Sequence, residues 1–583
     1  MKNEQGKDLI SFHTFMFPFR WDMGRGKNKS SLFSTNAHCV SYQERLNVET
    51  FKTVLCATSP CRCTPAKPHW RYIPFEIKDA RHYNEYTYFY PHARNALFNS
   101  HRAFKKGAVS YHFTYDDPEA QFYHIFLAAR TINGSGPPAH DSPQDLRCLC
   151  DRFQVYSLAI ETISLEIYDT GIGILQFDLE NTRYQHPEDI LKINDFGRRI
   201  YPPFLGDLSG TYPHRGVSAS LYRVYPLCVH IGTDEAPDAL PENCEKDLFH
   251  YENPVNLNPL QNKQVCILPG FIQRLLGRRF STRPPETDEK EMVVVTPVID
   301  DRMFTLCVYG DSLNGTGPFQ EPLPEAAQDF WYKFLFVDGT CEGAANSTLE
   351  RDLVTQHTYS RWIDYGTLYG ISRYSFMVWL KGSLNDHTPK MILTHCRSMY
   401  CRMIHLALVQ RASIIRFSEE IADISSLDKE NLTKIRSLYR LYIKFSSRLY
   451  FTEVTAQEQG IEMYTMIQDQ MQVRENLADL RHEIGELHAY ADLTSEKKRA
   501  IHADRLTILA TLFLIPSFIT GLLGMNTFGD KFFGAYADIG MVSFLRSPTT
   551  GWIIYLLLTS MIILIVYYVG RILFFPGLFK KRR

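Results

Sequence analysis

The stretch Leu506–Asn526, LTILATLFLIPSFITGLLGMN, decides how the rest of the chain is interpreted. About 20 residues of α-helix rise about 30 Å, which is the thickness of the hydrocarbon core of a bilayer. No charged residue interrupts the sequence from Leu506 to Phe528, and a second apolar stretch, Trp552–Gly570, follows after a loop. The pattern predicts a membrane protein with two spans near its C-terminus and a large part before them.

Basic residues flank both apolar stretches, whereas the loop between them, Thr527–Gly551, carries two acidic and two basic residues that cancel. Positive flanks mark the cytoplasmic side of a membrane. We therefore expect both termini on the cytoplasmic side of the membrane and the loop on the outer side. The flanking residues are Lys497, Lys498, Arg499 and Arg505 before the first stretch, and Arg571, Lys580, Lys581, Arg582 and Arg583 after the second.

Composition limits what the large N-terminal part does. The 583 residues include 63 basic and 64 acidic side chains, a balance that argues against a direct nucleic-acid-binding protein. The N-terminus has no apolar core of signal-peptide length. All 13 cysteines lie at or before Cys401, so reduced thiols are expected. Cys56, Cys61 and Cys63, near His69, are either a zinc cluster or structural cysteines, and their spacing matches no common zinc motif.

From about Gln154 the sequence alternates as strands do. The alternation predicts a half-buried hairpin whose turn is Asp169-Thr170-Gly171, so Gly171-x-Gly173 is interpreted as a turn and not as a phosphate loop. Two further strands are predicted at Met292–Thr296 and Met303–Tyr309. The alternating apolar residues of the hairpin are Ile163, Leu165 and Ile167, then Leu175, Phe177 and Leu179.

Two segments are candidate ligand sites. A short amphipathic helix from Glu188 leads to Arg198 and Arg199, which either form a solvated helix end or bind a phosphate. Residues 357–379 combine many aromatic residues with His357, Arg361 and Arg373. Aromatic faces and guanidinium groups suit a ligand with a base and a phosphate, although a packed core with a polar rim has the same composition.

Helical periodicity replaces the strand pattern from about Ser398 to the first apolar stretch. Asp428–Phe451 is predicted to be one amphipathic helix. A longer helix begins after Gly460 and is predicted to run without a break into the first span. Its heptad seam, which predicts a helical stalk or an intramolecular bundle, consists of Val473, Leu477, Leu480, Ile484, Leu487 and Ala491.

Small residues recur on one face of the first apolar stretch. Ala510, Leu514, Ser517 and Gly521 fall near one line at 100° per residue. Small residues allow helices to approach closely, so this face is either a helix contact or the lining of a pore. Two spans cannot enclose a channel, and a pore therefore requires several copies of the chain.

This C-terminal part resembles the CorA family of magnesium channels, two-span membrane proteins with a Gly-x-Asn end. The resemblance rests on LTILAT (Leu506–Thr511), FITG (Phe518–Gly521) and Gly524-Met525-Asn526, and on the order of large cytosolic part, stalk, two spans and basic tail. The sequence after the motif, TFGDKFF (Thr527–Phe533), departs from the family's usual Met-Pro-Glu-Leu-like segment and lacks its acidic character.

The resemblance implies a homopentamer in the lipid of a bacterial inner membrane, whose first spans line a pore for Mg²⁺ or another divalent cation. Gly524, Met525 and Asn526 would form the selective outer mouth, with Asn526 contacting the metal ion. Mg²⁺ releases its water slowly, and neutral amides bind the hydrated ion without trapping it. Leu514 would form an apolar constriction that closes by dewetting. No covalent cofactor is implied.

The large N-terminal part looks like that of the CorA proteins associated with type III CRISPR systems. That likeness rests on YDTGIGIL (Tyr168–Leu175), NDFGRRIYPPF (Asn194–Phe204) and YGTLYGISRYS (Tyr365–Ser375). It implies an antiviral effector opened by a small nucleotide messenger. Arg198, Arg199, His357, Arg361 and Arg373 are the expected ligand-binding residues.

Other functions remain open. A housekeeping Mg²⁺ transporter gated by Mg²⁺ itself is the main alternative. A membrane-tethered enzyme is disfavoured because the chain contains no H-E-x-x-H, G-x-S-x-G or Walker-type motif. A scaffold would not need a small-residue face that ends in Gly-Met-Asn.

The expected fold is an α+β cytosolic domain followed by a helical stalk and two C-terminal transmembrane helices. The expected divisions are an N-terminal mixed α/β region (1–150), a sensor region (151–400), a stalk (401–505), the first span (506–526), an outer loop (527–551), the second span (552–574) and a basic tail (575–583).

Overall fold

A strand near the N-terminus, β1 (Ser11–Gly24), lies at the centre of the sheet that organises the protein. Residues 11–20 of β1 pair in antiparallel fashion with β6 (Ile172–Asn181). On its other side, residues 11–16 pair with β10 (Phe304–Asp311) and residues 19–24 with β9 (Met292–Pro297). Large apolar side chains point to both faces of β1 and are buried, as in strands covered on both sides.

The structure is a computed structural model of the whole chain. It describes residues 8–24, 45–56, 69–98, 109–129, 153–199, 224–237, 268–282, 292–299, 302–312, 323–339, 346–425 and 432–524, and the single positions 239, 241, 319, 344, 556, 560, 563 and 567.

The sheet contains 13 strands among the described residues, in the order β11-β12-β13-β10-β1-β6-β5-β3-β2. Outside this order, β4 pairs with both β5 and β7, and β8 pairs with β9. The pairs β10–β13 and β8–β9 are parallel, and every other described pair is antiparallel. The remaining strands are β2 (Trp70–Tyr72), β3 (Ser110–Tyr115), β4 (Phe122–Ala129), β5 (Phe153–Tyr168), β7 (Val224–Gly232), β8 (Phe280–Ser281), β11 (Thr358–Tyr359), β12 (Thr367–Ile371) and β13 (Ser375–Lys381).

The predicted hairpin is confirmed as β5 and β6, but most of β6 is buried on both faces and is not half-buried as predicted. Gly171 takes the left-handed conformation in its turn (φ +80°), which favours glycine, and the G-x-G sequence is therefore a turn as predicted. The predicted strands at Met292–Thr296 and Met303–Tyr309 correspond to β9 and β10.

Helices cover the sheet, and local sequence explains where several begin. Asn47, Asp79 and Asn346 cap helices by accepting backbone N–H groups, and Pro91 and Pro187 occupy first-turn positions. The helices are α1 (Val48–Leu55), α2 (Ala80–Tyr88), α3 (Pro91–Leu97), α4 (Pro187–Gly197), α5 (Gly270–Leu276), α6 (Glu325–Phe336), α7 (Ser347–His357), α8 (His387–His395) and α9 (Cys401–Ser425), the last following one π-turn at Cys396–Tyr400.

The C-terminal helices follow the predicted pattern except at one point. The predicted helix at Asp428–Phe451 is α10 (Leu432–Arg448), followed by α11 (Glu458–Gln470) and α12 (Val473–Gly524). The prediction of an unbroken helix from Gly460 is wrong, because Gln472 has a left-handed backbone conformation (φ +54°) that separates α11 from α12. We call Met471 and Gln472 the elbow.

The chain divides into two compact units, Met1–Gly485 and Glu486–Arg583. The first contains the sheet and its covering helices, so an α/β N-terminal part precedes a helical C-terminal part as expected. Within the described parts of the chain, no helix is both long enough and apolar enough to cross a membrane. The predicted second span, 552–574, lies outside the described residues except at positions 556, 560, 563 and 567.

Candidate functional site

The start of β10, together with Arg302 and Met303 just before it, lies between two of the predicted ligand-binding segments. On one side, Met303 donates its backbone N–H to the carbonyl oxygen of Arg198 (2.7 Å), and Arg199 forms an isolated β-bridge with Arg302. On the other side, Thr305 donates its backbone N–H to the carbonyl oxygen of Tyr374 (3.0 Å). The fold therefore brings the end of α4 close to the turn between β12 and β13.

Aromatic and guanidinium groups meet around Tyr374. The guanidinium carbon of Arg302 lies 5.7 Å from the centre of the Tyr374 ring, and that of Arg411 lies 5.1 Å from it. Arg411 also donates an Nη1–H to the carbonyl oxygen of Arg373 (2.9 Å). We refer to the five residues Arg198, Arg199, Arg302, Arg373 and Arg411 as the arginine corner.

The two arginines at the end of α4 are buried and not solvated. Arg199 donates an Nη2–H to Oδ1 of Asp195 (2.6 Å), and Arg198 donates an Nη2–H to the carbonyl oxygen of Val337 (3.1 Å). Burial lowers the pKa of Arg198 to about 10, so its guanidinium group stays charged at neutral pH. Because Arg198 and Arg199 are charged and buried, they need anionic partners inside the protein.

Two aspartates supply part of the negative charge at the arginine corner. Asp195 accepts the backbone N–H of Gly339 (3.2 Å) in addition to its arginine contacts. Burial, followed by repulsion from Asp195, raises the pKa of Asp338 to about 6 despite the opposing effect of Arg198. Asp338 is thus in the field of Arg198, Arg199 and Arg302 as well as of Asp195, and these groups lie near one another.

His357, at the end of α7, contacts Ile371 and Phe336. Its Nδ1 lies 2.7 Å from the carbonyl oxygen of Ile371 and donates the hydrogen bond. Its ring packs against Phe336 with a centroid distance of 5.1 Å, next to the Val337 carbonyl that Arg198 contacts. Burial lowers the pKa of His357, so the ring is neutral at pH 7 and adds no positive charge.

Arg361 lies at the sheet edge and contacts α11. Its Nη1 donates to Oε2 of Glu462 (2.7 Å), and both side chains are about 40% exposed. The hydroxyl of Tyr359 donates to the same oxygen; this bond, and then Arg361, lower the pKa of Glu462. Trp362 lies 5.7 Å from the Arg361 guanidinium group.

Arg373 contacts the elbow. Its Nη2 donates to the side-chain oxygen Oε1 of Gln472. The turn that carries Arg373 is held by a backbone bond from Ser372 to Ser375 (2.9 Å) and by the contact of Arg411 with the Arg373 carbonyl. Arg361 and Arg373 thus both join the sheet to the segment that precedes α12.

The predicted pore residues lie on α12 or follow it. Ala510, Leu514 and Ser517 are exposed, Leu514 to 66%. Gly521 and Gly524 belong to the last turns of α12, whereas Met525 and Asn526, including the predicted metal contact, lie outside the described residues. Thr507 and Thr511 donate their hydroxyl groups to carbonyl oxygens four residues earlier, which satisfies both hydroxyls within the helix.

The cysteines differ in part from the expectation of reduced thiols. Cys228 takes part in a disulfide bond, whereas Cys56, Cys307, Cys396 and Cys401 are free. Cys61 and Cys63 lie outside the described residues, so the zinc hypothesis stays a prediction. Within the described ranges no group of three or more His, Cys, Asp or Glu side chains is arranged to hold a metal ion.

Sequence reasoning missed Arg302, Arg411 and the central position of Tyr374. Arg302 precedes a strand and Arg411 lies within a long helix, and such positions carry no motif. Arg411 is nevertheless 8% exposed, and a buried arginine in an otherwise apolar helix segment is the signal that could have identified it.

Comparison with known proteins concerns the C-terminal part. Residues 410–571 match the family described as CorA-like Mg2+ transporter protein. The match includes most of α9, all of α10 to α12 and the Gly524-Met525-Asn526 motif, so this part of the chain is similar to that family. The chain matches no curated protein and no solved structure.

Proposed function

We propose that this chain is a channel for divalent cations, Mg²⁺ first among them, and not an enzyme. The observation that carries the proposal is the similarity of residues 410–571 to CorA-like Mg²⁺ transporter proteins, with Gly524-Met525-Asn526 at the end of the first apolar stretch. In this proposal both apolar stretches cross the inner membrane, the termini are cytoplasmic, and five copies surround one pore.

The pore is proposed to be lined by Ala510, Leu514, Ser517 and Gly521, with Asn526 at its outer mouth. Rings of amide oxygens bind a hydrated Mg²⁺ through its water and let it leave. Flux of Mg²⁺ into liposomes containing the purified protein tests this proposal. We expect Asn526→Ala to change the flux strongly and Asn526→Gln, which keeps the amide, to change it less. Equal flux in all three proteins would rule out Asn526 as part of the pore.

Gating is proposed to come from a nucleotide messenger whose phosphates bind at the arginine corner. Support comes from the guanidinium groups of Arg302 and Arg411, which lie 5.7 and 5.1 Å from the centre of the Tyr374 ring. Support also comes from the backbone hydrogen bonds that bring the end of α4, with Arg198, and the turn that carries Arg373 to the start of β10. Arg198, Arg199 and Arg373 lie in two of the three segments that look like the type III CRISPR-associated subgroup, and an antiviral role is part of this proposal.

Titration calorimetry separates this proposal from a housekeeping transporter gated by Mg²⁺. A nucleotide-gated channel binds a di- or oligonucleotide through the arginine corner, and Arg302→Ala weakens that binding. The matched control is Arg183→Ala, because Arg183 is an exposed arginine whose ion pair with Glu235 (2.7 Å) lies elsewhere. Heat from Mg²⁺ alone, with none from nucleotides, would favour the housekeeping alternative.

A further inference from the structure

The elbow between α11 and α12 is held in an unfavourable backbone conformation by contacts with the sheet. Gln472 is one of two described non-glycine residues with positive φ, a conformation that a Cβ disfavours. Its backbone N–H bonds to the carbonyl oxygen of Asp469 (3.0 Å), and its carbonyl accepts the N–H of Asn476 (3.2 Å). The first turn of α12 therefore depends on the conformation of Gln472.

Two side-chain contacts of different elements hold this region. Arg373, on the turn between β12 and β13, donates to the Gln472 side chain. Arg361 and Tyr359, at the outer edge of the sheet, both bond to Glu462 on α11. The neighbouring Met471 and Val473 are 1% and 0% exposed, so apolar burial anchors the backbone on either side of Gln472 while its own side chain lies in solvent.

The chemistry of the Arg373–Gln472 contact allows an anion to replace Gln472 as the partner of Arg373. Gln472 is a neutral acceptor, and an arginine bonds more strongly to a phosphate than to an amide oxygen. Arg373 itself is only half-buried, and its carbonyl is fixed by Arg411, so the side chain can change partner without movement of the turn. The guanidinium groups of Arg302 and Arg411 lie 5.7 and 5.1 Å from the centre of the adjacent Tyr374 ring, so further positive charge is close to this turn.

We propose that Arg373 is a latch that holds the elbow in the absence of ligand, and that a phosphate-bearing anion at the arginine corner takes Arg373 from Gln472 and so loosens the start of α12. The inference rests on the proposed function, because it names how ligand binding would reach the helix that leads to the pore. The Arg361–Glu462 pair is a second point of attachment that limits how far the elbow can move.

Hydrogen–deuterium exchange of residues 471–476 in the full-length protein tests the latch. Arg373→Ala is expected to speed exchange about two- to fivefold, since a contact of this exposure contributes little more than that to local stability. Glu462→Gln, which removes the charge from the second attachment, is expected to act in the same direction. The matched control is Glu235→Gln, because the Arg183–Glu235 pair has the same 2.7 Å distance and similar exposure.

Inorganic pyrophosphate, added at constant ionic strength, tests the exchange of partners. It should speed exchange of residues 471–476 in the unmodified protein and have no further effect on Arg373→Ala. The latch is wrong if Arg373→Ala leaves exchange unchanged, or if pyrophosphate acts equally on both proteins.

Liposome flux on the same variants separates this inference from the proposed function. If no protein shows cation flux but the exchange results are as expected, the proposed channel is contradicted and the proposed latch is supported. If Mg²⁺ flux is normal but hydrogen–deuterium exchange is unchanged in Arg373→Ala, the proposed latch is contradicted and the proposed channel is supported.

Discussion

At the scale of single residues, buried charge fixes how α9 sits on the sheet. Arg416 is fully buried and donates to the carbonyl oxygens of Trp21 (3.2 Å) and Gly171 (2.7 Å), and to Oδ1 of Asp22 (2.8 Å). Its guanidinium group is therefore surrounded by acceptors from β1 and from the turn between β5 and β6. A buried charge with such partners is costly to disturb, because the remaining polar groups would lose their bonds.

Gly171→Ala is expected to destabilise the protein by about 3 kcal/mol or more, because an added Cβ is strained at positive φ and collides with a buried charge. The Cβ would lie 1.9 Å from Nη1 of Arg416. Gly277→Ala is the control, since Gly277 also has positive φ (+97°) but nothing lies within 4 Å of its Cβ position. Denaturant unfolding measures both, and equal losses would mean that the Arg416 contact is unimportant.

His13 is expected to make stability depend on pH. Burial lowers its pKa from 6.5 to about 4, and Nδ1 lies 2.7 Å from Oδ1 of Asn194. Its ring is neutral when folded, so its contribution is fully present above pH 6.5 and is lost as pH falls towards 4, by about 3 kcal/mol in total.

The measurement for His13 is the free energy of unfolding between pH 7.5 and 4, compared with that of His13→Gln. The glutamine variant should lose less stability over this range, because its side chain does not take up a proton. Parallel curves for the two proteins would contradict the assignment.

At the scale of elements, the seam of α12 is where local sequence and tertiary packing agree. Val473, Leu477, Leu480 and Ile484 are each at most 2% exposed, and Ala491 is fully buried. Leu487, also in the predicted seam, is only half-buried. The apolar spacing of three and four residues thus marks the buried side of the helix.

Leu480→Ala is expected to cost about 2 to 5 kcal/mol, because it leaves a cavity in this packed seam. Glu483→Ala, an exposed position three residues further along the same helix, should change stability by less than about 0.5 kcal/mol. Thermal unfolding of the purified protein distinguishes them. A small effect at Leu480 would mean that α12 is held by something other than its seam.

At the scale of the whole molecule, the proposed channel requires several copies, since two spans per chain enclose no pore. Native mass spectrometry of the protein in detergent is expected to show five copies in one assembly. A monomer as the only species would contradict the proposed channel.

Leu514→Ser is expected to raise cation flux in the absence of messenger by several-fold, because a polar ring removes the apolar constriction that excludes water. Phe513→Ser is the control: position 513 lies about 100° around the helix from position 514 and so points away from the proposed pore. Liposome flux measures both. Equal effects of the two changes would mean that Leu514 does not line the pore.

The sequence alone determined the features that depend on near neighbours. The hairpin of β5 and β6, the helices from Ser398 onward and the seam of α12 all follow from periodicity within one element. The similarity of residues 410–571 to CorA-like transporters is likewise found from the sequence alone.

Tertiary structure alone decided what depends on distant parts of the chain. Strand β1 is central because it pairs with β6, β9 and β10. No local pattern in residues 11–24 predicts these partners. The residues of the arginine corner come from the end of α4, the segment before β10, the turn at Arg373 and α9. Gln472 interrupts the helix that periodicity predicts, and its side chain contacts Arg373 on the turn between β12 and β13. The spacing of hydrophobic residues indicates which face of an element is buried. It does not indicate which elements pack against each other, because that depends on the whole chain.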